Sequence, residues 1–126
     1  MRKTITIETS KEKEVIDCTG KINKLLKGKE GLCHLFLLHT TAALTTADLD
    51  PGTDLDILET YEKMIPKLNF RHAHNPSHTW THIMSSIVGT SLAIPFKEGK
   101  LILGTWQRVV LIELDGPKTR QIVIDF

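Results

Sequence analysis

The fold is indicated first by the stretch LCHLFLL at residues 32–38, which is apolar at every position except His34. A run of this kind is typical of a central strand that is covered on both faces. It leads directly into His39, Thr40 and Thr41. We therefore expect a sheet with this strand near its middle and site residues at its carboxyl end.

Outward from this stretch, alternating and apolar patterns predict further strands at 2–8, 15–18, 42–46, 91–96, 101–103, 105–115 and 120–125. Three helices are predicted, one capped by Thr19, one opening with Thr53 and Asp56 as a reciprocal capping pair, and one beginning near Ser77. Helices and strands without regular βαβ alternation predict an α+β domain, with the helices packed on a largely antiparallel or mixed sheet.

Composition limits the class of protein. With 126 residues and 40% hydrophobic content, we expect a single domain over 1–126. A formal net charge of +1 argues against nucleic acid as a partner, and no apolar run is long enough for a membrane span. Cys18 and Cys33 form no CxxC motif, and the first residues lack the apolar core of a signal peptide, so we expect a cytoplasmic protein.

The segment FRHAHNPSHTWTH at residues 70–82 holds four of the six histidines. On a helix that begins near Ser77, residues 78, 82, 85 and 89 would share one face, and residues 83, 84, 87 and 88 would line an adjacent buried face. Imidazole binds borderline metals and titrates near neutral pH. One histidine alone would be read as a surface residue, but five together predict a metal or catalytic cluster: His39, His72, His74, His78 and His82.

Other polar residues allow two interpretations each. Asp56 would support a metal ligand or act as a base, or would only cap its helix. On the predicted strand 105–115, Trp106 and Gln107 would face opposite sides, so that one packs and the other meets a ligand. Arg120, like its basic neighbours, would be a solvated strand charge or an anion clamp. From the residues alone, the sequence predicts a metal-assisted site with anion-binding groups nearby.

Five motifs together resemble the YjbQ-like family of secondary thiamine-phosphate synthases: HTTAALT at 39–45, FRH at 70–72, HIMSS at 82–86 with Gly89, GKL at 99–101 running into LGTWQ at 103–107, and ELDGP at 113–117 with Arg120. The resemblance implies an α+β domain assembled as a homotrimer, with histidine-rich sites near subunit boundaries. It also implies an enzyme that joins a pyrimidine diphosphate to a thiazole phosphate.

The family's recurrent residues, matched to positions in this chain, together with the histidine pattern give a set of expected site residues. The expected catalytic residues are His39, His82, Asp56, Gln107, Asp115 and Arg120. The expected contacts to a small phosphorylated substrate are Thr40, Ser85, Trp106, Arg120, His74 and His78. The expected metal ligands are His39, His72 and His82, holding zinc, or magnesium with a diphosphate substrate. A metal-dependent hydrolase and a non-catalytic trimer with a structural metal are the alternative interpretations.

Overall fold

The computed structural model describes residues 1–126 and contains eight strands and three helices. The strands are β1 Arg2–Glu8, β2 Glu14–Asp17, β3 Gly31–Leu37, β4 Ala42–Ala47, β5 Ser91–Lys97, β6 Lys100–Leu101, β7 Arg108–Glu113 and β8 Thr119–Asp125. The helices are α1 Thr19–Leu26, α2 Thr53–Met64 and α3 Thr79–Val88, and a single 3₁₀ turn at Pro76–His78 precedes α3.

The strands form two antiparallel sheets. The larger sheet has the order β1-β8-β3-β5-β6, and the smaller sheet has the order β2-β7-β4. Every strand pair is antiparallel. The α+β prediction, with three helices on antiparallel sheets, is therefore confirmed.

The two sheets and the helices form three layers with two hydrophobic clusters. The larger cluster lies between the sheets and includes Leu35 of β3, Leu111 of β7 and Ile22 of α1. The smaller cluster lies on the other face of the small sheet and joins Ile112 of β7 to Met84 of α3. The small sheet is therefore the middle layer of the molecule.

The prediction that residues 32–38 are covered on both faces is wrong. In β3, alternate side chains face outward, and Leu32 is 61% exposed and Phe36 43% exposed. The strand that is covered on both faces is β7, in which residues 109–113 are all buried. Hydrophobic content alone did not separate these two strands, because two outer residues of β3, Leu32 and Phe36, are as apolar as its inner ones.

Several local predictions also need correction. Neither Thr19 nor Thr53 caps a helix, since each is the first residue of its helix and the N-cap positions are Cys18 and Gly52. Instead, the Thr19 hydroxyl accepts a hydrogen bond from the Val109 backbone N–H at 2.9 Å, which fixes α1 on β7.

The helix predicted from Ser77 begins two residues later. His78 is the N-cap of α3 and does not lie on its face. Ile87, predicted to be buried, is 60% exposed, whereas Thr81 and Ser85 are buried. The face of α3 that packs on the small sheet is therefore more polar than the pattern indicated.

None of the three helices is both long and apolar enough to cross a bilayer.

Candidate active site

A cleft of about 540 Å³ lies where the end of β3 meets α3. Its walls are formed by Phe36, Leu37, Leu38, His39, Thr40, His82, Ser85, Ser86, Gly89 and Thr90. Backbone hydrogen bonds hold the two sides together, from Leu37 N–H to the Thr90 carbonyl at 2.8 Å and from Leu44 N–H to the Gly89 carbonyl at 2.9 Å. The cleft contains no lysine, arginine or carboxylate, so the imidazoles of His39 and His82 are its only ionisable side chains.

His39 is fixed by the edge of the sheet. Its Nε2 accepts a hydrogen bond from the Gln121 backbone N–H at 2.8 Å, as a strand carbonyl would. The proton of the neutral ring is therefore on Nδ1, which is the donor left for a ligand. Burial lowers the pKa of His39, and the cations of Arg120 and Lys118 lower it further. His39 is consequently a neutral hydrogen-bond donor at neutral pH.

His82 lies on the opposite wall and stacks on a second histidine. The ring centroids of His72 and His82 are 4.9 Å apart with planes inclined by 20°. His74 is next to His72, with centroids 6.1 Å apart in an edge arrangement. The structure therefore brings together three of the predicted histidines. One of them, His82, lines the same cleft as His39.

His78 and Asp115 form a separate group beside the turn that connects β7 to β8. The Asp115 carboxylate accepts a hydrogen bond from Lys118 Nζ at 2.5 Å, and its other oxygen is 3.7 Å from His78 Nδ1. Neither residue lines the cleft. The predicted roles of Asp115 in catalysis and of His78 in substrate binding stay predictions, with the two residues now placed in contact with each other.

Arg120 is buried with 2% of its side chain exposed, and it pairs with the fully buried carboxylate of Glu113. Its Nη2 also donates to Thr41 Oγ1 at 2.9 Å, and Thr9 Oγ1 donates to the Glu113 carboxylate at 2.8 Å. Burial alone would raise the pKa of Glu113, but hydrogen bonds from Arg120 and Thr9 lower it below its ordinary value. These contacts give Arg120 a structural role and lend no support to the predicted catalytic and anion-binding roles.

Trp106 and Gln107 do not lie on a strand, because the backbone from 102 to 107 is a loop. Gln107 Oε1 accepts from Gly104 N–H at 3.0 Å, and its Nε2 donates to Thr46 Oγ1 at 3.0 Å. The Trp106 side chain is 72% exposed above a separate hollow that Asp48 also lines. Within one chain, the predicted catalytic Gln107 and substrate-binding Trp106 are therefore apart from the histidine cleft.

Asp56 is exposed on α2 and lines none of the cavities described. The reciprocal caps do not form, because the Thr53 N–H donates to the Asp50 carbonyl at 2.9 Å and the Asp56 N–H donates to the Gly52 carbonyl at 3.1 Å. The structure brings the predicted Thr40 and Ser85 into the cleft with His39 and His82, but it does not bring Asp56 there.

The family follows from comparison with known sequences. The model of the family described as UPF0047 protein YjbQ-like matches residues 3–126. The chain belongs to the YjbQ-like family. It is 36% identical over 121 residues to a UPF0047 protein of Archaeoglobus fulgidus, covering 95% of this chain and 96% of that protein. It is 35% identical over 128 residues to the UPF0047 protein YugU of Bacillus subtilis, covering 98% and 97% respectively.

Solved structures of YjbQ-like proteins have the same fold. A protein of unknown function from Sulfolobus solfataricus superposes with a TM-score of 0.88 at 29% identity, covering 98% of this chain and 94% of that one. A conserved hypothetical protein from Thermus thermophilus superposes with a TM-score of 0.89 at 32% identity, covering 98% of each chain.

The expected thiamine-phosphate synthase function is corrected by these comparisons. The relatives carry the name UPF0047 protein, and the Sulfolobus structure is described as a YjbQ-like protein of unknown function. Nothing in these comparisons supports the joining of a pyrimidine diphosphate to a thiazole phosphate.

The structure of this YjbQ-like chain forms no group of three or more His, Cys, Asp or Glu side chains that could hold a metal ion. Two of the predicted ligands show why. The lone pair of His39 Nε2 accepts the Gln121 N–H, and that of His72 Nδ1 accepts the Asn75 N–H at 3.1 Å. A neutral imidazole has one lone pair, so neither ring can bind a metal without losing its hydrogen bond. The three histidines therefore do not fit a metal as they are placed, and zinc or magnesium stays a prediction.

Two features of the site were missed by the sequence analysis. Ser86 and Thr90 line the cleft but were not proposed, since a serine on a helix and a threonine in a turn have many ordinary roles. Glu113 was missed as the partner of Arg120. A single glutamate in the apolar segment VVLIE at 109–113 was the available indication of a buried ion pair.

Proposed function

We propose that the cleft between β3 and α3 binds a small phosphorylated compound and that the protein is an enzyme that transfers a proton to or from it. The observation that carries this proposal is that two imidazoles are the only titratable groups lining a cleft of about 540 Å³. This volume is in the range of small-molecule sites.

The two imidazoles offer complementary chemistry. His39 can only donate to a ligand, through Nδ1–H, because its Nε2 accepts the Gln121 N–H. The His82 ring stacks on His72 and makes no hydrogen bond within the chain, so one of its nitrogens is available to accept a proton. His39 therefore suits the role of a neutral hydrogen-bond donor that stabilises negative charge on the ligand, and His82 the role of base.

An anion in the cleft would favour a protonated imidazole at His82, whereas His39 stays neutral while its Nε2 accepts the Gln121 N–H. We expect the affinity for sulfate, whose charge is constant over the range, to rise about tenfold between about pH 7.5 and about pH 5.5, because charged hydrogen bonds are stronger than neutral ones. Calorimetry with inorganic sulfate measures this change. Calorimetry with a phosphate monoester then tests the expected ligand class.

Substitutions of single histidines test whether sulfate binds in the cleft. His39→Asn and His82→Asn should each weaken sulfate binding about tenfold at about pH 5.5. His34→Asn is the matched control, because His34 does not line the cleft and lies instead in a separate hollow with Arg2 and Asp125. Equal affinity in all three variants, or affinity that does not change with pH, would contradict the proposal.

We also propose that the protein is a homotrimer, with the outer face of the large sheet as its interface. Leu32 and Phe36 of β3 are exposed on this face, and their cross-strand partners Pro95 and Val123 extend the apolar surface. Exposed apolar side chains grouped on one sheet face are typical of a subunit interface, and here they flank His34. Leu38, 48% exposed, continues it to the mouth of the cleft.

Leu32→Glu should weaken trimer formation about 100-fold or more, because symmetry repeats a buried charge at each interface. Sedimentation equilibrium measures the effect. Leu55→Glu is the control, since Leu55 is 66% exposed on α2, away from this sheet. A trimer that survives Leu32→Glu, or a parent protein that is monomeric, would exclude this interface.

The two cysteines, Cys18 and Cys33, are free and buried. Burial raises the pKa of Cys18 to about 12, so its thiol is protonated and unreactive at neutral pH. Free cysteines are common in reducing compartments, which supports the cytoplasm as the proposed location.

A further inference from the structure

A second cavity, of about 400 Å³, lies between the end of α2 and the start of α3. It is lined by Glu62, Ile65, Pro66, Lys67, Leu68, Phe70, Pro76, Ser77 and Trp80, and it shares no residue with the histidine cleft. Most of these side chains are apolar or aromatic. The proposed function leaves this cavity without a role.

An ammonium group already lies against two residues of the cavity wall. Lys13, from the turn before β2, places its Nζ 5.0 Å from the centroid of the Trp80 ring. The same Nζ is 2.7 Å from Glu62 Oε1. Glu62 and Trp80 both line the cavity, whereas Lys13 does not. A carboxylate beside an aromatic face is the arrangement by which proteins recognise organic ammonium groups.

We propose that this cavity binds an organic cation that carries its ammonium group on an apolar or aromatic body. The ligand ammonium takes the place of Lys13 between Glu62 and Trp80, and the body of the ligand lies against Phe70 and Ile65. The volume of the cavity suits a small molecule of this kind.

The charges around the cavity require the ligand to displace Lys13. Glu62 is the only carboxylate on the wall, and Lys67 is a second cation there. If Lys13 stayed in place, a ligand cation would share one carboxylate with two ammonium groups. The Lys13 side chain is 26% exposed and can move into solvent when its ammonium is replaced.

Two prolines and one side-chain cap restrict the walls of the cavity before a ligand binds. Pro66 and Pro76 restrict the backbone on two sides. The Asn75 side chain accepts a hydrogen bond from Ser77 N–H at 3.1 Å and caps the 3₁₀ turn. These restrictions reduce the ordering that binding requires.

Trp80 reports on the site directly. The chain has two tryptophans, and Trp106→Phe leaves Trp80 as the only one. In this background we expect phenethylammonium to change the Trp80 fluorescence with a saturable dependence on concentration. Phenethyl alcohol, of similar shape but neutral, should bind at least about fivefold more weakly.

Two substitutions and one control test the role of Lys13. Lys13→Met removes the competing ammonium and should tighten phenethylammonium binding about five- to tenfold. Glu62→Gln should weaken it by a similar factor. Lys29→Met is the matched control, because Lys29 Nζ is 5.6 Å from the centroid of the Phe126 ring, outside the cavity. It should leave the affinity unchanged.

Thermal unfolding confirms that each variant is folded, and Glu62→Gln decides the test if Lys13→Met does not fold. Equal binding of the amine and the alcohol would overturn the proposal. So would an affinity that is unchanged in both Lys13→Met and Glu62→Gln. A loss of binding in His82→Asn would place the probe in the histidine cleft instead and would also overturn it.

Discussion

Replacing Arg120 with methionine should lower the free energy of unfolding by about 3–5 kcal/mol, because it leaves a buried carboxylate without its partner. Glu113 is fully buried, and Arg120 binds it through Nε at 2.9 Å as well as through Nη2. Thr9 still donates one hydrogen bond to the carboxylate in the variant. Urea denaturation at about pH 7 measures the loss.

Arg108→Met is the matched control for this prediction. Arg108 also pairs with a carboxylate, Asp17, at 2.8 Å, but the two side chains are 43% and 36% exposed. An exposed pair contributes about 1 kcal/mol or less. Equal destabilisation by the two substitutions would mean that burial of the Glu113 carboxylate does not set the cost.

The contribution of Glu113 to the free energy of unfolding should depend on pH with opposite sign in the parent protein and in Arg120→Met. In the parent, hydrogen bonds outweigh burial and hold the pKa of Glu113 below its ordinary value. Its contribution to stability is therefore present above the unfolded pKa of about 4.3 and is lost as the pH falls through the folded pKa. Without Arg120, burial should raise that pKa above the unfolded value. The loss of stability caused by Arg120→Met should then become smaller as the pH falls from about 7 towards about 5.

The positions of the strands along the chain were largely predictable because local patterns decide them. β1 has the predicted bounds at residues 2–8, and β8 begins one residue before its predicted start at 120. Alternation of apolar and polar residues, with turn residues between them, is a local property of the chain. The layer order was not predictable in this way, since the outer residues Leu32 and Phe36 of β3 are apolar without being buried.

The candidate site was predicted in part. His39 and His82 were proposed, and both line the cleft, because each follows or lies on a strongly patterned element. Gln107 was proposed for the same site, but its loop lies beside β4, where it binds Thr46. Which loop reaches which cleft depends on long-range packing, and a pattern of neighbouring residues carries no such information.

Gly116→Ala should lower the free energy of unfolding by about 3 kcal/mol, because a side chain at this position overlaps the backbone. An added Cβ would overlap the Lys11 carbonyl oxygen and would lie 2.9 Å from Thr9 Oγ1. Rotation of a side chain cannot relieve contact with a backbone atom. The Gly116 N–H also donates to the Glu12 carbonyl at 2.8 Å, so the segment before β2 must stay close to this turn.

Gly20→Ala is the control for this substitution. Gly20 is in α1 with no atom within 4 Å of an added Cβ, so alanine there should stabilise the protein by about 0.5–1 kcal/mol. Thermal or urea denaturation of both variants gives the comparison. If Gly116→Ala were as stable as Gly20→Ala, the close packing of the turn against Lys11 would be refuted.

The effects of Gly116→Ala and Arg120→Met on the free energy of unfolding should also be coupled. A Cβ at Gly116 would press on Thr9 Oγ1 and on the Glu113 side chain, whose Cγ is 2.9 Å from it. These two groups are hydrogen-bonded to each other, and Arg120 binds the same carboxylate. Gly116→Ala and Arg120→Met therefore damage one network, and the loss in the double variant should be smaller than the sum of the single losses by about 1 kcal/mol or more. Additive losses would show that the turn is stabilised independently of the buried ion pair.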